Sequence, residues 1–420
     1  MKIYVVGGSI RDGFLGKESN DIDYCVVGAT PEDMFDRGFK QVGKDFPVFL
    51  DESGEEYALA RTERKAGNGY NGFETYYGQD VTIEDDLKRR DLTINAIAMD
   101  KDGEIVDPYN GISDLNNKIL RHVSEDFADD PLRVLRVARF KAKLPDFTIE
   151  DETKNLMRKL VEDGELDHLT PERIFLETKK ALKEEKPSEY FKTLQEVGAL
   201  EKIFPEIHKL VGVEQPEKHH PEIDSFVHTM MTLDIATELS NDPVVRFGAL
   251  VHDLGKGVTP KEELPKHIGH EKAGVPIVEE MCNRLKFPNE YKKIGMKSSE
   301  YHLKVHRVEE MSPRKIVRML GELAVDKEKQ REDFEKVLLV CESDARGRGG
   351  KEKDLYPQKD IFKKLVDNYC SISMKDVMND RGVESIDKNN VEKMKMFLYN
   401  DRISIIKKEQ KTGKSNTYSM

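Results

Sequence analysis

The chain has 420 residues, of which 37% are hydrophobic and 35% charged, and its formal net charge is -12. This length exceeds that of one ordinary core and predicts two to four domains. The negative charge argues against broad, nonspecific binding to nucleic acid, because phosphates are held mainly by lysine and arginine.

The spacing of the cysteines and the length of the apolar segments indicate the cellular compartment that we expect for the protein. No segment reaches membrane-spanning length, and the apolar stretch at residues 3–6 is too short for the core of a signal peptide. We therefore expect a soluble, cytoplasmic protein with no membrane partner. The cysteines are widely spaced and form no C-x2-C pair, so they indicate neither a zinc ribbon nor a disulfide framework: Cys25, Cys282, Cys341 and Cys370.

Two aspartates near the N-terminus form the first candidate site. The apolar segments Ile3 to Val6 and Tyr24 to Val27 have the composition of strands. Asp21 and Asp23 directly precede the second segment, and the strand period of two puts both carboxylates on one face, where they can share divalent cations. Alone, this pattern favours an ordinary solvated strand end over a metal site. Its position between a strand, a turn and a helix favours a metal site.

A glycine turn and an arginine lie just before these acids. Gly7 and Gly8 let backbone amides approach a triphosphate that a side chain would block, and Arg11 adds a fixed positive fork. Two glycines alone indicate only a turn. Beside the aspartates they predict that a phosphate site adjoins the metal site.

The secondary-structure pattern changes near Asp107. Before it, short strands alternate with turns, and Glu63 to Tyr77 has the glycine-rich, polar composition of a mobile loop, with Gly67, Gly69 and Gly72. From Asp130 onward, apolar spacings of three and four predict helices almost throughout. The sequence thus predicts an α/β head followed by all-α segments. Two further strands are predicted at Val48 to Leu50 and Tyr57 to Ala60, and helices at Leu132 to Phe140, Leu156 to Val161, Ile174 to Leu182 and Tyr190 to Leu194.

A second informative stretch runs from Lys88 to Ala96. Its apolar residues would seat a helix while Arg89 or Arg90 reaches a phosphate. Taken singly, this stretch and the Asp107-Pro108 turn after it are more typical of structure than of catalysis.

A third stretch, Asp129-Asp130-Pro131-Leu132-Arg133, opens a predicted helix. Asp130 and Arg133 are three residues apart, so they share a helix face and offer an acceptor beside a donor fork. Cytosine and adenine present the complementary edge, an amino donor next to a ring-nitrogen acceptor, whereas guanine and uracil do not. Each mismatched contact costs about 1–3 kcal/mol by analogy with base readout. The alternative is an N-cap aspartate with an i,i+3 salt bridge.

The same helix carries a basic stripe. Each cation alone is equally typical of a solvated helix face, but an acidic protein with one such stripe can still hold RNA. The stripe contains no acid and consists of Arg133, Arg136, Arg139, Lys141 and Lys143.

Five motifs occur in the order found in class II tRNA nucleotidyltransferases, and the chain resembles the bacterial members that also carry an HD domain. The resemblance covers about residues 1 to 350 and implies a polymerase-β-like head with a mixed sheet and helices. It also implies addition of C, C and A to the 3′ end of tRNA, from CTP and ATP, without a template. The motifs are Gly8-Ser9 through Asp23, Arg89 to Ala96, Asp107-Pro108, Asp129 to Arg133 and Pro171 to Ile174.

The resemblance assigns roles to individual residues. The catalytic Asp21 and Asp23 would hold Mg²⁺ while the tRNA 3′-hydroxyl attacks the α-phosphorus and pyrophosphate leaves. Which carboxylate, if any, is a third metal ligand is left open. Asp129 stands where the family often has glutamate, which shortens its reach but keeps its charge. The implied nucleotide-binding residues are Gly8, Arg11, Arg90, Asp130, Arg133, Arg136 and Arg139.

A separate constellation of histidines and aspartates resembles an HD phosphohydrolase. It comprises His228, His252-Asp253 within an H-D-L-G-K-G run, and Asp344. A divalent metal on these ligands would activate a water toward a phosphate ester, and the residue types suit Ni²⁺, Mn²⁺ or Mg²⁺. The resemblance implies phosphatase, 2′-nucleotidase and 2′,3′-cyclic phosphodiesterase activities. Scattered histidines are otherwise usually structural; the further candidates are His267, His270, His302 and His306.

Three other interpretations fit parts of the sequence. A bacterial poly(A) polymerase shares the head motifs, but the HD segment and the lack of a strongly basic C-terminal arm disfavour it. An HD-type nucleotide hydrolase with a degenerate transferase is disfavoured because enzymes combining both activities place the hydrolase first. A noncatalytic tRNA-binding protein would leave Asp21 and Asp23 idle.

Domain boundaries follow from these motifs and from proline and glycine clusters. We expect a head at 1–128, a helical neck and body at 129–224, an HD domain at 225–350 and a helical C-terminal segment at 351–420. The tail from Arg402 reads as basic and frayed. A monomer or homodimer is expected, and the sequence assigns no role to the last segment.

Overall fold

The computed structural model describes residues 1–18, 22–42, 48–65, 73–218, 220–388 and 390–417. The chain forms two compact units, Met1–Pro205 and Glu206–Met420. Asp21 and the loop glycines Gly67, Gly69 and Gly72 lie outside the described residues.

A mixed sheet dominates the first unit. Seven strands follow the order β3-β4-β5-β2-β1-β8-β9, in which β2 and β5 run parallel and the other neighbours antiparallel. Two small sheets accompany it, an antiparallel β6-β7 pair and a parallel β10-β11 pair. The strands are β1 (Lys2–Val6), β2 (Asp23–Val27), β3 (Lys40–Val42), β4 (Val48–Leu50), β5 (Glu56–Leu59), β6 (Thr62–Lys65), β7 (Phe73–Tyr76), β8 (Ala98–Asp100), β9 (Ile105–Val106), β10 (Ile119–Leu120) and β11 (Thr148–Ile149).

Strand register explains how the sheet positions a site. Val6, the last residue of β1, pairs with Asp23, the first of β2, so the turn after β1 opens beside the Asp23 carboxylate. Alternate β-branched and small side chains anchor this edge in the core, with Val6 and Cys25 buried. The position of Asp23 is therefore set by a rigid ladder.

One predicted loop is partly wrong. Thr62–Lys65 and Phe73–Tyr76 are paired strands, although Glu63 to Tyr77 was predicted to be a loop. Their polar sequence concealed them, because backbone pairing needs little apolar alternation. Residues 66–72 lie outside the described part of the chain.

Helices fill the rest of the first unit. Helix α5 packs mainly on α7 and α8, burying residues at helical spacing such as Val134, Val137 and Ala138. The helices are α1 (Gly8–Phe14), α2 (Pro31–Asp36), α3 (Ile83–Lys88), α4 (Gly111–Asn117), α5 (Leu132–Lys143), α6 (Asp151–Glu162), α7 (Pro171–Ala181), α8 (Ser188–Glu196) and α9 (Ala199–Ile203).

After Thr148–Ile149, the described residues form helices and no further strand. The predicted α/β head followed by helical segments is therefore confirmed. None of the described helices is both long and apolar enough to cross a membrane. The remaining helices are α10 (Pro205–His208), α11 (Ser225–Leu239), α12 (Pro243–Val251), α13 (His270–Arg284), α14 (Asn289–His306), α15 (Pro313–Glu322), α16 (Glu328–Arg346), α17 (Pro357–Cys370), α18 (Met374–Asp380) and α19 (Val391–Thr417).

The C-terminal segment shares a core with the helices before it. Phe362 on α17 and Ile406 on α19 belong to the same buried cluster as Leu320 and Phe334. Arg402 lies over the Tyr369 ring, 3.8 Å from its centroid. The prediction of a frayed tail from Arg402 is therefore wrong for the first turns after it, because apolar residues among the lysines secure the helix.

Candidate functional sites

A cavity of about 620 Å³ in the first unit gathers the described residues of the predicted transferase site. Asp21 lies outside the described residues. The described residues of this site come from α1, β2, the segment after α3, the turn before α5 and α5 itself. The lining includes Gly8, Arg11, Asp23, Arg90, Asp130, Arg133, Arg136 and Arg139.

The cavity wall is strongly cationic. Among its lining residues nine cations stand against three carboxylates, Asp23, Asp91 and Asp130. Such a wall suits a polyanion of several charges, with one exposed carboxylate, Asp23 at the start of β2, to share a cation with it. The cations are Arg11, Arg61, Arg89, Arg90, Arg133, Arg136, Arg139, Arg173 and Lys180.

Of the two glycines in the turn after β1, Gly7 is the one that a residue with a side chain could not replace without strain. Its φ is +73°, and a Cβ there would lie 2.8 Å from Nη1 of Arg90, so a side chain would both strain the backbone and displace that guanidinium. A Cβ at Gly8 would meet only Nη2 of Arg11, at an ordinary 3.6 Å. The turn thus keeps Arg90 against the backbone where β1 ends.

Phe140 is a shared platform for arginines of the cavity. The guanidinium carbons of Arg11, Arg136 and Arg139 lie 5.1, 6.0 and 4.5 Å from its ring centroid. Arg11 is buried and also donates to Oδ1 of Asn95. Cation–π contact and this hydrogen bond hold three like charges close together before any anion binds.

A buried carboxylate orients the two arginines after α3. Asp86 Oδ2 lies 3.2 Å from Arg90 Nη2, and Asp86 Oδ1 lies 2.6 Å from Arg89 Nη2. Burial alone would raise the pKa of Asp86, but the guanidinium groups of Arg89 and Arg90 outweigh it and lower the pKa to about 2. Asp86 is therefore ionised at neutral pH and fixes both cations.

A second buried acid orients Arg136. Asp91 Oδ2 lies 2.7 Å from Nη2 of Arg136, while its Oδ1 accepts from the Asn95 amide at 2.9 Å. Burial opposes ionisation of Asp91, but Arg136 and the Asn95 amide hold its pKa well below the usual range. Asp86 and Asp91, neither given a role from the sequence, thus aim the cavity's arginines.

The predicted base-selecting pair is held by separate partners. Asp130 Oδ1 accepts from the backbone N–H of Leu132 at 3.1 Å, and Asp130 Oδ2 accepts from Arg173 Nη2 at 2.8 Å. The guanidinium of Arg133 donates to the carbonyl oxygens of Asp126 and Arg89. Both side chains line the same cavity.

Arg61, Arg173 and Lys180 also line the cavity, although the sequence did not predict a role for them. Arg173 and Lys180 stand seven residues apart on α7, with Glu177 between them on the same face, and Glu177 pairs with Arg139. That helical spacing is visible in the sequence, and Arg173 lies within the Pro171 to Ile174 motif. Arg61 follows β5 and carried no comparable signal.

The second unit brings the four predicted HD residues together. His228 on α11 lies 3.1 Å, through Nε2, from Oδ1 of Asp344 on α16. At the end of α12, His252 Nε2 lies 3.2 Å from Oδ2 of Asp253 and 3.9 Å from Oδ1 of Asp344. All four side chains are buried. Three helices therefore aim imidazoles and carboxylates at one point.

Three of the four further histidine candidates join this cluster. His270 and His302 approach Asp253, and His306 Nε2 lies 2.6 Å from Asp344 Oδ2. His267 is bonded elsewhere, to Thr259 Oγ1 through Nδ1 and to the Glu214 carbonyl oxygen through Nε2. The cluster opens into a cavity of about 770 Å³.

Glu222 is a supporting residue that sequence reasoning missed. Its Oε1 lies 2.9 Å from Nδ1 of His220 and 3.0 Å from Nδ1 of His228. The next residue, Ile223, has φ +61°, which is rare for a β-branched residue. This strained turn keeps Glu222 beneath His228, leaving Nε2 of that ring to face the aspartates.

The donor set fits a divalent cation. His252 Nε2 and Asp253 Oδ1 are buried, and neither makes a hydrogen bond to a described residue. Burial opposes ionisation of Asp253, but the neighbouring imidazoles and Lys256 hold its pKa well below the usual range. Buried carboxylate oxygens and imidazole nitrogens without hydrogen bonds are ordinary ligands of Mn²⁺, Ni²⁺ or Zn²⁺.

Three known families match successive parts of the chain. Residues 3–121 match the poly A polymerase head domain, residues 146–210 the probable RNA and SrmB-binding site of polymerase A, and residues 225–347 the HD domain. The poly A polymerase head match covers the mixed sheet, and the HD match contains all four predicted HD residues.

Relatives match nearly the whole chain. The multifunctional CCA protein of Mannheimia succiniciproducens is 50% identical over 388 residues, which are 90% of this chain and 92% of the relative. Among solved structures, a CCA-adding enzyme in apo form II has a TM-score of 0.63 at 20% identity, covering 98% of this chain and 92% of its own. The Thermotoga maritima CCA-adding enzyme complexed with tRNA has a TM-score of 0.60 at 18% identity, covering 98% and 91%. The two structures share the fold.

Proposed function

We propose, because this chain belongs to the multifunctional CCA protein family, that it is a tRNA nucleotidyltransferase that adds and repairs the 3′-terminal CCA. CTP and ATP are the substrates, pyrophosphate is released, and no nucleic-acid template is used. The proposal rests on one observation: Asp23 and nine cations line the same cavity. A triphosphate and a divalent cation fit together there.

Positioning accounts for most of the proposed catalysis. Asp23, together with Asp21, would hold Mg²⁺, and bound Mg²⁺ supplies activation of the tRNA 3′-hydroxyl and stabilisation of the leaving pyrophosphate. Arg11 and Arg90 bind the phosphates, and their orientation is fixed beforehand by Asn95 and Asp86. Preorganised cations of this kind stabilise charge without reorganising during the reaction.

Asp130 and Arg133 are proposed to replace a template. The Asp130 carboxylate accepts from the exocyclic amino group of C or A, and Arg133 donates to the adjacent ring nitrogen. Support comes from their shared place in the lining of the cavity and from the hydrogen bonds that fix them, which Arg173 donates to Asp130 and Arg133 donates to the Arg89 carbonyl oxygen. G and U present the opposite donor pattern and lose both contacts.

The proposed transferase activity is tested by sequencing reaction products. The full chain is incubated with tRNAs lacking A, CA or CCA, together with all four nucleoside triphosphates. We expect each tRNA to end in CCA and to accept nothing more. Long A tails would point to a poly(A) polymerase, and tRNAs recovered unchanged would contradict both activities.

The same assay addresses base selection. Asp130→Ala removes the proposed acceptor, so we expect incorporation of U or G relative to C to rise by about 10-fold or more, as loss of a contact worth about 1–3 kcal/mol requires. Glu172→Ala, on α7 beside Arg173, is the matched control and should keep the wild-type pattern. Unchanged discrimination against UTP and GTP in Asp130→Ala would refute the template role.

For the second unit we propose a metal-dependent phosphohydrolase. Phosphatase, 2′-nucleotidase and 2′,3′-cyclic phosphodiesterase activities would prepare a damaged tRNA end for new addition. His228, His252, Asp253 and Asp344 would hold a divalent ion, and Ni²⁺, Mn²⁺ and Mg²⁺ are the candidates. The buried, convergent donor set supports this site. We further propose that the protein acts as a monomer or homodimer.

A further inference from the structure

The two most exposed large apolar side chains in the described part of the chain both line the cavity of the second unit. Leu355 is 93% exposed and Ile268 is 85% exposed, whereas the next most exposed, Tyr76 in the first unit, reaches only 55%. A single exposed apolar residue is ordinary on a protein surface. Two of them in the lining of one cavity suit a ligand that covers both.

Short stretches of chain connect both side chains to the buried cluster of histidines and aspartates. Ile268 lies two residues before His270, a member of that cluster. Leu355 directly precedes Tyr356, whose hydroxyl oxygen lies 2.8 Å from Nδ1 of His306. Consecutive Cα atoms are about 3.8 Å apart, so each apolar residue is attached within about 8 Å of a residue that contacts the cluster. One small ligand can therefore reach the cluster and the apolar side chains together.

Cations accompany the apolar side chains. Lys266 stands two residues before Ile268, Lys351 stands four residues before Leu355, and Arg307 directly follows α14. All three line the cavity, and none of them is ion-paired with a described residue. The other charged residues of the lining are Lys256, Arg346, Arg348, Asp253, Glu271, Asp344 and Asp354. Positive charge next to apolar surface is the combination that binds a base together with its phosphate.

We propose that Ile268 and Leu355 hold the base of the nucleotide whose phosphate ester the second unit hydrolyses. The faces of a base are apolar and pack between apolar side chains, while the cluster takes the phosphate. The cavity of about 770 Å³ lies within the range of about 300–1,000 Å³ that is typical of small-molecule sites. The inference rests on the proposed phosphohydrolase.

The ligand is a ribonucleotide with a 2′-phosphate or a 2′,3′-cyclic phosphate, either free or at the 3′ end of an RNA. All four bases have similar faces, so contacts through the face tolerate any of them. Ile268 and Leu355 therefore favour a nucleotide over a simple phosphate ester without selecting among bases.

Kinetics with two related esters test this role. Adenosine 2′-phosphate and glycerol 2-phosphate are both monoesters of a secondary alcohol, but only the first carries a base. In full-length protein with Mn²⁺ or Ni²⁺, Ile268→Ala and Leu355→Ala should each raise the KM for adenosine 2′-phosphate by about 10-fold, and together by about 100-fold. The kcat should change less than about 2-fold, because the lost contacts are made equally in the ground and transition states. Hydrolysis of glycerol 2-phosphate should not change.

A short RNA that ends in adenosine 2′-phosphate distinguishes the two sources of the ligand. Similar losses with this RNA and with the free nucleotide would assign the two side chains to both ligands. A loss with the free nucleotide alone would assign them to free nucleotides. A loss with the RNA alone would overturn the proposal, because the contacts would then be made to nucleotides other than the terminal one.

Met396→Ala is the matched control. Met396 is exposed on α19 and is not among the described residues of the cavity lining, so all constants should stay at their wild-type values. An unchanged KM in the double variant, or equal losses with both esters, would overturn the base-holding role and leave the phosphohydrolase standing. If the wild-type protein releases phosphate from neither ester with either metal, the phosphohydrolase is wrong and this inference fails with it.

Discussion

Asp23→Asn is expected to lower the rate of CTP and ATP addition by about 1,000-fold or more, equivalent to about 4 kcal/mol of transition-state stabilisation. The substitution removes a formal charge from a metal ligand and leaves the cationic cavity intact. Single-turnover extension of a truncated tRNA measures the loss. Because Asp23 is exposed, we expect the free energy of unfolding to change by about 0.5 kcal/mol or less.

Comparing Asp23→Asn with a variant of the second unit, Asp344→Asn, shows whether addition and phosphate-ester hydrolysis take place at separate sites. As a control, Glu104→Gln changes an exposed carboxylate in the turn between β8 and β9 and should preserve addition. Asp344→Asn should preserve addition while abolishing hydrolysis of a 2′,3′-cyclic phosphate, and Asp23→Asn should do the reverse. Loss of both activities in either folded variant would contradict independent sites.

Asp86→Asn is expected to destabilise the first unit by about 3 kcal/mol at pH 7, because it leaves two guanidinium groups around a buried site without their counter-charge. The pKa of Asp86 is lowered to about 2, so its ionic contribution is complete above the ordinary aspartate pKa near 4. It is lost as the pH falls toward 2. A shift of this size is worth about 2 kcal/mol, and roughly half of it should be gone at pH 3.

Hydrogen exchange measured by mass spectrometry on peptides of the sheet, at several pH values, reports this difference for the first unit alone. Glu84→Gln lies in the same helix, is exposed, and should match the wild type at each pH. A stability difference between Asp86→Asn and wild type that stays constant from pH 7 to pH 3 would assign the effect to packing instead of charge. Misaligned Arg89 and Arg90 should also raise the KM for CTP.

Much of the fold was predictable because the apolar residues of a segment indicate which part of it is buried. The segments ending at Val6 and Val27 are strands within one residue of their predicted bounds, since β-branched runs beside turns have few other stable arrangements. The β6-β7 pair escaped prediction because its stability comes from backbone pairing, which polar sequence does not reveal. The role of the last segment escaped because an apolar stripe does not identify what it packs against.

The site was predictable as a set of residues but not as a set of contacts. Arg173 meets Asp130 across 43 positions of sequence, and Arg133 is held by carbonyl oxygens that every residue possesses. His267 and His270, three residues apart, were indistinguishable candidates, yet only His270 faces Asp253. Asp21 and the predicted pairing of its carboxylate with Asp23 lie outside the described residues and stay a prediction.

Helix α5 has a consequence for how this sequence tolerates change in length. Arg133, Arg136, Arg139 and Lys143 recur every three or four residues and contact, in turn, the Arg89 carbonyl oxygen, Asp91, Glu177 and Asp12. Deleting one residue turns everything beyond it by about 100°. We therefore expect single substitutions along α5 to be tolerated better than changes in its length. One insertion or deletion within α5 would separate several cations from their partners at once.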